Sequence, residues 1–449
     1  MENDKLLNKK IHRNQEGCEE KNKISLVSYL IEQKQDKHRK NMNLVLTHFR
    51  GIPPSCNWLN KFSAILIDNF LLYISNNFIV IIETDKKEFK QLIFNSSGDN
   101  KEKFSALAKV NNHIFVACTY KGKFILYEKN ESTHENTLND NNLIRPIFKE
   151  SSSFMFENIN NSIKVLLYND DYLLAGDIEG NIYHFILSIN ESSESKKACL
   201  YLLHIVSVGN KIQQITDGCL VNNNLLLTSS LGCIYEYLIS EKVVNTIELQ
   251  RKKTFIYSLE FLHFPPDLMI ISTLDKDGTF SLFIKKGDKY TKYHEGKGVF
   301  NDRSIIEAYT FFVHKMFKSE KGDQFFCLIS SNKGKLFYRL YNIQEILSFY
   351  SDSEEDNQNL ILKINDFKEL GENTHSMCIY NIVHKENEVI CFSSDKTISI
   401  WKMPEFIFLH DIKTIGSKPK NIFYNEKNIY LLTEDNQIFQ YYYKKVLLI

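Results

Sequence analysis

From about residue 62 onward the chain is written in short apolar runs, each broken by one or two turn-forming residues and then resumed. Phe70–Ser75 (FLLYIS) stops at Asn76-Asn77 and continues as FIVII, and IFVACTY stops at Lys121-Gly122 and continues as FILYE. Eight copies of this unit can be read, with the second turn residue at Asn77, Gly122, Gly180, Gly232, Gly278, Gly334, Lys396 and Asn436. A run of Val, Ile, Leu, Phe and Tyr bounded by Gly, Asn or Asp predicts a strand, and two such runs across a tight turn predict a hairpin. Helical periodicity is absent from the same windows. A further apolar segment precedes most hairpins, for example FSALAKV, IKVLLYN, IYSLEFL and CIYNIVH, so each unit holds at least three strands.

The hairpins recur at intervals of 40 to 62 residues. Three or four strands per unit at roughly 40 to 50 residues is the pattern of propeller blades. An isolated small sheet would leave two apolar faces in water, whereas radial stacking buries each face against the next sheet. The expectation is therefore an all-β protein, a WD-repeat-like β-propeller of seven or eight blades over residues 51–449. The first and last segments are candidate partners in one ring-closing blade. Small residues near the ends of the central strands, Ser75, Thr228, Ser272, Ser330, Ser393 and Thr433, suit close packing in such a ring. Residues 1–50 carry eleven Lys or Arg against seven Asp or Glu and one apolar knot at 24–31, which predicts a flexible charged arm.

Composition supports a folded chain: 449 residues, 43% apolar, with 32 Phe and 23 Tyr, exceed what a disordered chain carries. Lys+Arg and Asp+Glu balance at 55 each, which argues against a protein that coats polyanions generally. Only 17 Gly and 7 Pro stand beside 44 Asn, so Asn is expected to take left-handed turn positions. Nine scattered Cys and a charged N-terminus without an apolar signal core predict a reducing compartment, cytoplasm or nucleus. Phe62–Ile82 is as long as a membrane span, but Asp68, Asn69, Asn76 and Asn77 interrupt it. Buried strands explain it better, and no membrane partner is expected.

Gly371–Lys402, with the turn Ser393-Ser394-Asp395-Lys396-Thr397-Ile398 followed by Ile400-Trp401, resembles a WD repeat. Lys402 stands where that family usually has Asp, and Glu372 follows Gly371 where the family has His. The resemblance implies the propeller and is silent about activity. Ile52-Pro53-Pro54-Ser55-Cys56-Asn57-Trp58 resembles the opening of the large-Gemin family, WD-repeat readers of small nuclear RNA in the SMN complex. That resemblance implies a place for Trp58 on an RNA- and cap-binding surface. The family's aromatic neighbour is replaced here by Leu59, and its RNA site is built from two propellers, whereas residues 51–449 provide for one.

No phosphate-cradling glycine loop, H-E-x-x-H or C-x-x-C occurs, so the chain is expected to be non-enzymatic and to need no cofactor or metal. His375, Cys378, His384 and Cys391 have zinc-ligand chemistry, yet 375 and 378 would point to opposite faces of a strand. Asp275 and Asp277 read as a hairpin turn, and Trp401 as a structural residue. Trp58 is a candidate base-stacking platform set against a Trp packed between blades. Lys285, Lys286, Lys289, Lys292 and Lys297, interleaved with Tyr290 and Tyr293, could contact phosphate and stack bases, or form a hydrated loop between blades. Ser348–Asn359 reads as an acidic solvated loop that could accept phosphate. The expected partners are other proteins of a multi-subunit assembly, with RNA contact in a ribonucleoprotein assembly factor as the sharper form. A pure scaffold in trafficking, ubiquitin transfer or tRNA modification is the alternative.

Overall fold

Each apolar hairpin forms the middle of a four-stranded antiparallel sheet in the computed structural model of this chain. The structure describes residues 44–50, 61–95, 102–130, 146–155, 161–169, 172–192, 195–209, 212–221, 223–249, 254–287, 289–297, 311–320, 322–331, 333–352, 367–370, 375–385, 387–413, 419–424, 428–433 and 437–443. The expected arm up to residue 43 lies outside them.

Eight such sheets follow one another along the chain. In order they span 64–94, 104–154, 163–207, 215–249, 256–297, 311–369 and 379–413, and the eighth joins 419–443 to Leu44–Arg50. We call them blades 1 to 8. Residues Leu44–Arg50, grouped by charge with the arm, supply the fourth strand of blade 8, pairing antiparallel with Gln437–Tyr443 from Leu44↔Tyr443 to Arg50↔Gln437. The two chain ends thus meet in one sheet.

The second and third strands are buried on both faces, and their period of two sends alternate residues to opposite neighbours. In blade 1, Leu72 and Ile74 pack with Leu107 and Phe115 of blade 2, while Leu71 and Tyr73 pack with Tyr430 and Leu432 of blade 8. In blade 7, Val389 and Cys391 face Phe326 and Leu328 of blade 6, while Ile390 and Phe392 face Leu431 and Phe439 of blade 8. Clusters of the same kind join blades 2, 3 and 4, blades 4 and 5, and blades 5 and 6. Every sheet therefore buries both faces, which is what closure of the ring achieves. First strands of successive blades lie side by side and line the axis. The fold is an eight-bladed β-propeller.

Fourth strands are polar on one or both faces, as in Glu88–Phe94 and Phe148–Phe154. Antiparallel order places the turn between second and third strands at the same end of the ring as the connection from one blade to the next. We call this end the turn face. Two expectations are corrected. Lys285 to Lys297 is not a hydrated loop: it belongs to the third and fourth strands of blade 5, Thr279–Lys286 and Lys289–Lys297. The start of the Ser348–Asn359 run is not a loop either, because Ile343–Asp352 is a helix whose Ile343 and Ile346 are buried against blades 5 and 6. The rest of that run, from 353, lies outside the described residues. Phe62–Ile82 contains strands, and among the described residues no helix is long and apolar enough to cross a membrane.

Candidate functional site on the turn face

The turns are built by one recurring device. The last residue of a second strand is Asp, Ser or Thr, and its side-chain oxygen accepts backbone N–H groups of the turn that follows. Asp177 Oδ1 accepts from Glu179 and Asn181, both at 2.8 Å. Asp275 Oδ1 accepts from Asp277 at 2.9 Å and Thr279 at 2.7 Å, so this carboxylate serves the turn. Thr119, Ser229, Ser331, Ser393 and Thr433 do the same in their blades. Gly122, Gly180, Gly232, Gly278 and Gly334 then take φ between 75° and 90°, and Lys396 takes 69° at the corresponding place. The turn also holds the incoming connection: Tyr120 N–H donates to Lys103, Ile178 to Ser162, Ser230 to Gln214, Lys276 to Phe255 and Ser394 to Cys378.

On this rigid frame the side chains of blades 2 to 4 differ from the others. Blades 5 and 7 carry Lys276-Asp277 and Ser394-Asp395 in their turns, but blades 2, 3 and 4 carry Tyr120-Lys121, Ile178-Glu179 and Ser230-Leu231. Tyr120 is 47% exposed and Ile178 is also exposed. In the neighbouring connections Met155 is 53% and Ile212 79% exposed. Tyr120, Ile178 and Ile212 are neighbours through the residues beside them. Lys164 Nζ lies 5.9 Å from the Tyr120 ring, Ile178 bonds back to Ser162, and Gly180 sits so close to Gln213, next to Ile212, that a Cβ there would come within 2.8 Å of the Gln213 carbonyl.

The charge around this patch is one-sided. Lys103 and Lys121 are exposed and Lys123 and Lys164 half-buried, while Glu179 is the exposed acid of the same sector among the described residues. Glu102 is buried and accepts the Lys121 N–H at 3.0 Å. Burial lowers the Lys164 pKa. Toward the axis, the connection into blade 1 reaches across the ring. Lys61 Nζ is 2.6 Å from Asp217 Oδ1 on the first strand of blade 4, and the Phe62 carbonyl accepts the Leu107 N–H at 2.6 Å. Burial alone would lower the Lys61 pKa, and the Asp217 carboxylate more than offsets this, leaving it raised.

The sequence-derived candidates are distributed differently. Trp58 lies outside the described residues, between Arg50 and Lys61. In blade 5, Lys285 pairs in register with Tyr290 and Lys286 with Lys289 across a turn at the opposite face. Lys285 Nζ is 2.6 Å from Glu236 and 4.8 Å from the Tyr290 ring centre. Lys292 Nζ is 2.7 Å from Glu295 and 5.6 Å from the Phe283 ring centre, and Tyr293 is buried. Lys286 and Lys289 are exposed. The structure thus brings these six together on one hairpin, with two lysines already ion-paired.

His375 and Asp395 have a structural task. His375 Nε2 lies 2.8 Å from Ser399 Oγ, which accepts the Trp401 indole N–H at 3.0 Å, and His375 Nδ1 lies 2.6 Å from Thr397 Oγ1 and 3.3 Å from Asp395 Oδ1. Burial would raise the Asp395 pKa, but hydrogen bonds from His375, Thr397 and the Ser376 backbone hold it well below the usual carboxylate range. His375 thus ties the connection into blade 7 to the turn at Asp395 and to the strand that carries Trp401. His384 stacks on Phe317 at 4.2 Å. Among the described residues no group of three or more His, Cys, Asp or Glu could hold a metal.

No protein-family model matches the chain, nor does any curated protein. Solved structures do match, at low identity. Sqt1 of Saccharomyces cerevisiae aligns with a TM-score of 0.56 and 8% identity over 88% of this chain and 100% of its own. The computationally designed protein Ika8 aligns at 0.55 and 12% over 88% and 99%. BamB of Moraxella catarrhalis aligns at 0.51 and 11% over 89% and 98%. These likenesses concern the fold, a β-propeller, and leave its use to be argued from the surface.

Proposed function

We infer that this chain is a non-catalytic interaction platform, a stiff ring that presents its turn face to other proteins of a larger assembly. The observation that carries this reading is the exposure of Tyr120 and Ile178 on turns fixed to a buried frame, with Met155 and Ile212 exposed in the adjoining connections. Neighbouring apolar side chains held in water on a rigid surface mark an interaction site. Function in the cytoplasm or nucleus fits the seven described cysteines, none of them in a disulfide.

The test is cross-linking mass spectrometry on the tagged full-length chain purified from its own cells. The expected result is a stable partner cross-linked to the loops around residues 103, 121 and 164. A chain recovered alone, as a monomer, contradicts the platform. A ribonucleoprotein role is the second reading, favoured by the exposed Lys286 and Lys289 and by the resemblance around Trp58. It predicts a salt-sensitive affinity for capped small RNA, measured by titration at two salt concentrations, that Trp58→Ala abolishes. Affinity no greater than for random RNA rejects that role and leaves the protein platform in place.

A further inference from the structure

We propose that the turn face of blades 2 to 4 takes an acidic peptide segment of a partner protein, one that alternates carboxylates with large apolar side chains. The proposal rests on the platform reading and names its occupant. Two properties of the same surface select it.

The first is charge complementarity. Lys103, Lys121, Lys123 and Lys164 come from two neighbouring blades, and none of them pairs with a carboxylate among the described residues. Lys129, Lys285, Lys315 and Lys335, by comparison, are ion-paired, with Asp68, Glu236, Glu260 and Glu369. Cations kept uncompensated in one sector attract a ligand of the opposite sign and set its register. Lys164, half-buried beside the Tyr120 ring, would have its charge best matched by a carboxylate brought to it.

The second is the chemistry of what lies between the lysines. Met155, Ile178 and Ile212 are aliphatic and exposed. They offer apolar surface between the cations, which suits the apolar side chains of a protein segment. Tyr120 supplies the aromatic anchor that interface centres favour. The site is also preformed: Asp177 fixes the Ile178 turn, Thr119 fixes the Tyr120 turn, and the connections are bonded to both. A bound segment would therefore lose its own freedom without having to order the surface as well.

The experiment uses the full-length chain and fluorescein-labelled peptides of about fifteen residues, one alternating Glu with Leu and Phe, the other with Lys in place of Glu. Anisotropy titrations at two salt concentrations are run on the wild type, on Lys103→Glu/Lys121→Glu, on Ile212→Asp and on Lys286→Glu/Lys289→Glu from the opposite face. The expected result is binding of the acidic peptide alone, weakened about tenfold or more by either turn-face variant, weakened by salt, and unchanged by the blade 5 variant. Every substituted residue is exposed, and circular dichroism of each variant verifies the fold. Equal binding of both peptides, or a turn-face variant that binds like the wild type, overturns the proposal. So does capped small RNA that competes at this surface more strongly than the peptide. A partner cross-linked in cells that both turn-face variants still retain would reject this occupant while leaving the platform standing, whereas a chain without partners rejects the platform itself.

Discussion

Asp177 shows how much one side chain does in the site. Besides the two turn N–H groups it accepts Asn161 Nδ2 at 3.0 Å, Asn181 Nδ2 at 2.9 Å and the Tyr183 hydroxyl at 2.8 Å, all at Oδ2. Replacement by Ala leaves several buried donors without an acceptor, each costing about 1 to 3 kcal/mol. Asp177→Ala is expected to lower stability by about 3 kcal/mol in chemical denaturation, and Asp177→Asn by clearly less. Gly334 has a backbone reason to be Gly: at φ 79° a Cβ would collide with the His375 carbonyl. Gly334→Ala is expected to cost about 2 kcal/mol or more, and a midpoint equal to the wild type's would contradict this packing. At this scale the sequence was partly legible. Trp401 and the Ser393–Asp395 turn announce themselves by identity. His375 does not, because its task depends on a connection that passes over the turn, four residues after Gly371. The exposed patch left a trace as well, in the apolar residues occupying turn positions of blades 2 to 4, but a turn with Ile or Tyr is conspicuous only once the other turns are aligned beside it.

Pairs of blades are held together by buried histidines as well as by apolar clusters. His184 of blade 3 meets the Tyr237 hydroxyl of blade 4 at 2.9 Å, His314 of blade 6 meets Ser272 of blade 5 at 2.8 Å, and His294 of blade 5 meets Tyr341 of blade 6 at 3.2 Å. Burial, with nearby cations second, lowers their pKa values from 6.5 to about 4 for His184 and His294 and about 3 for His314. The unfolded chain takes up protons first as pH falls, so this stability is whole above 6.5 and is lost progressively toward pH 4. Shifts of that size correspond to roughly 3 kcal/mol each for His184 and His294 and to more for His314 when complete. Denaturant midpoints are expected to fall already between pH 6.5 and 5, before ordinary carboxylates titrate, and His184→Gln/His294→Gln should flatten that decline. A pH-independent midpoint over this interval would refute the assignment. Strands of this kind were readable where burial on both faces makes a continuous apolar run. The fourth strands were not: Lys289–Lys297 looks like a loop because Lys289 is exposed and Lys292 pairs with Glu295 of the same strand.

For the whole molecule, repetition in the sequence defined the architecture to within one blade, since eight hairpins are compatible with seven sheets if two segments share one. Pairing across some four hundred residues decided it, and no local pattern reports such a contact. Blades 2 to 4, which present Tyr120, Ile178 and Ile212, are packed on one another by a shared apolar cluster, and closure buries the outer faces of the sheets at the two chain ends as well. The ring should therefore be tested at its seam. Cysteines placed at the register partners Leu46 and Tyr441, and in a second variant at Thr47 and Gln440, sit on the two strands that join the chain's beginning to its end. Adjacent pairs alternate between closer and wider spacing, so one variant has the better geometry for a bridge. Peptide mapping after mild oxidation is expected to find that intrachain disulfide in at least one variant, in monomeric protein with an unchanged β spectrum. Folded protein in which neither bridge forms, or in which the cysteines link only different molecules, would contradict the closed eight-bladed ring.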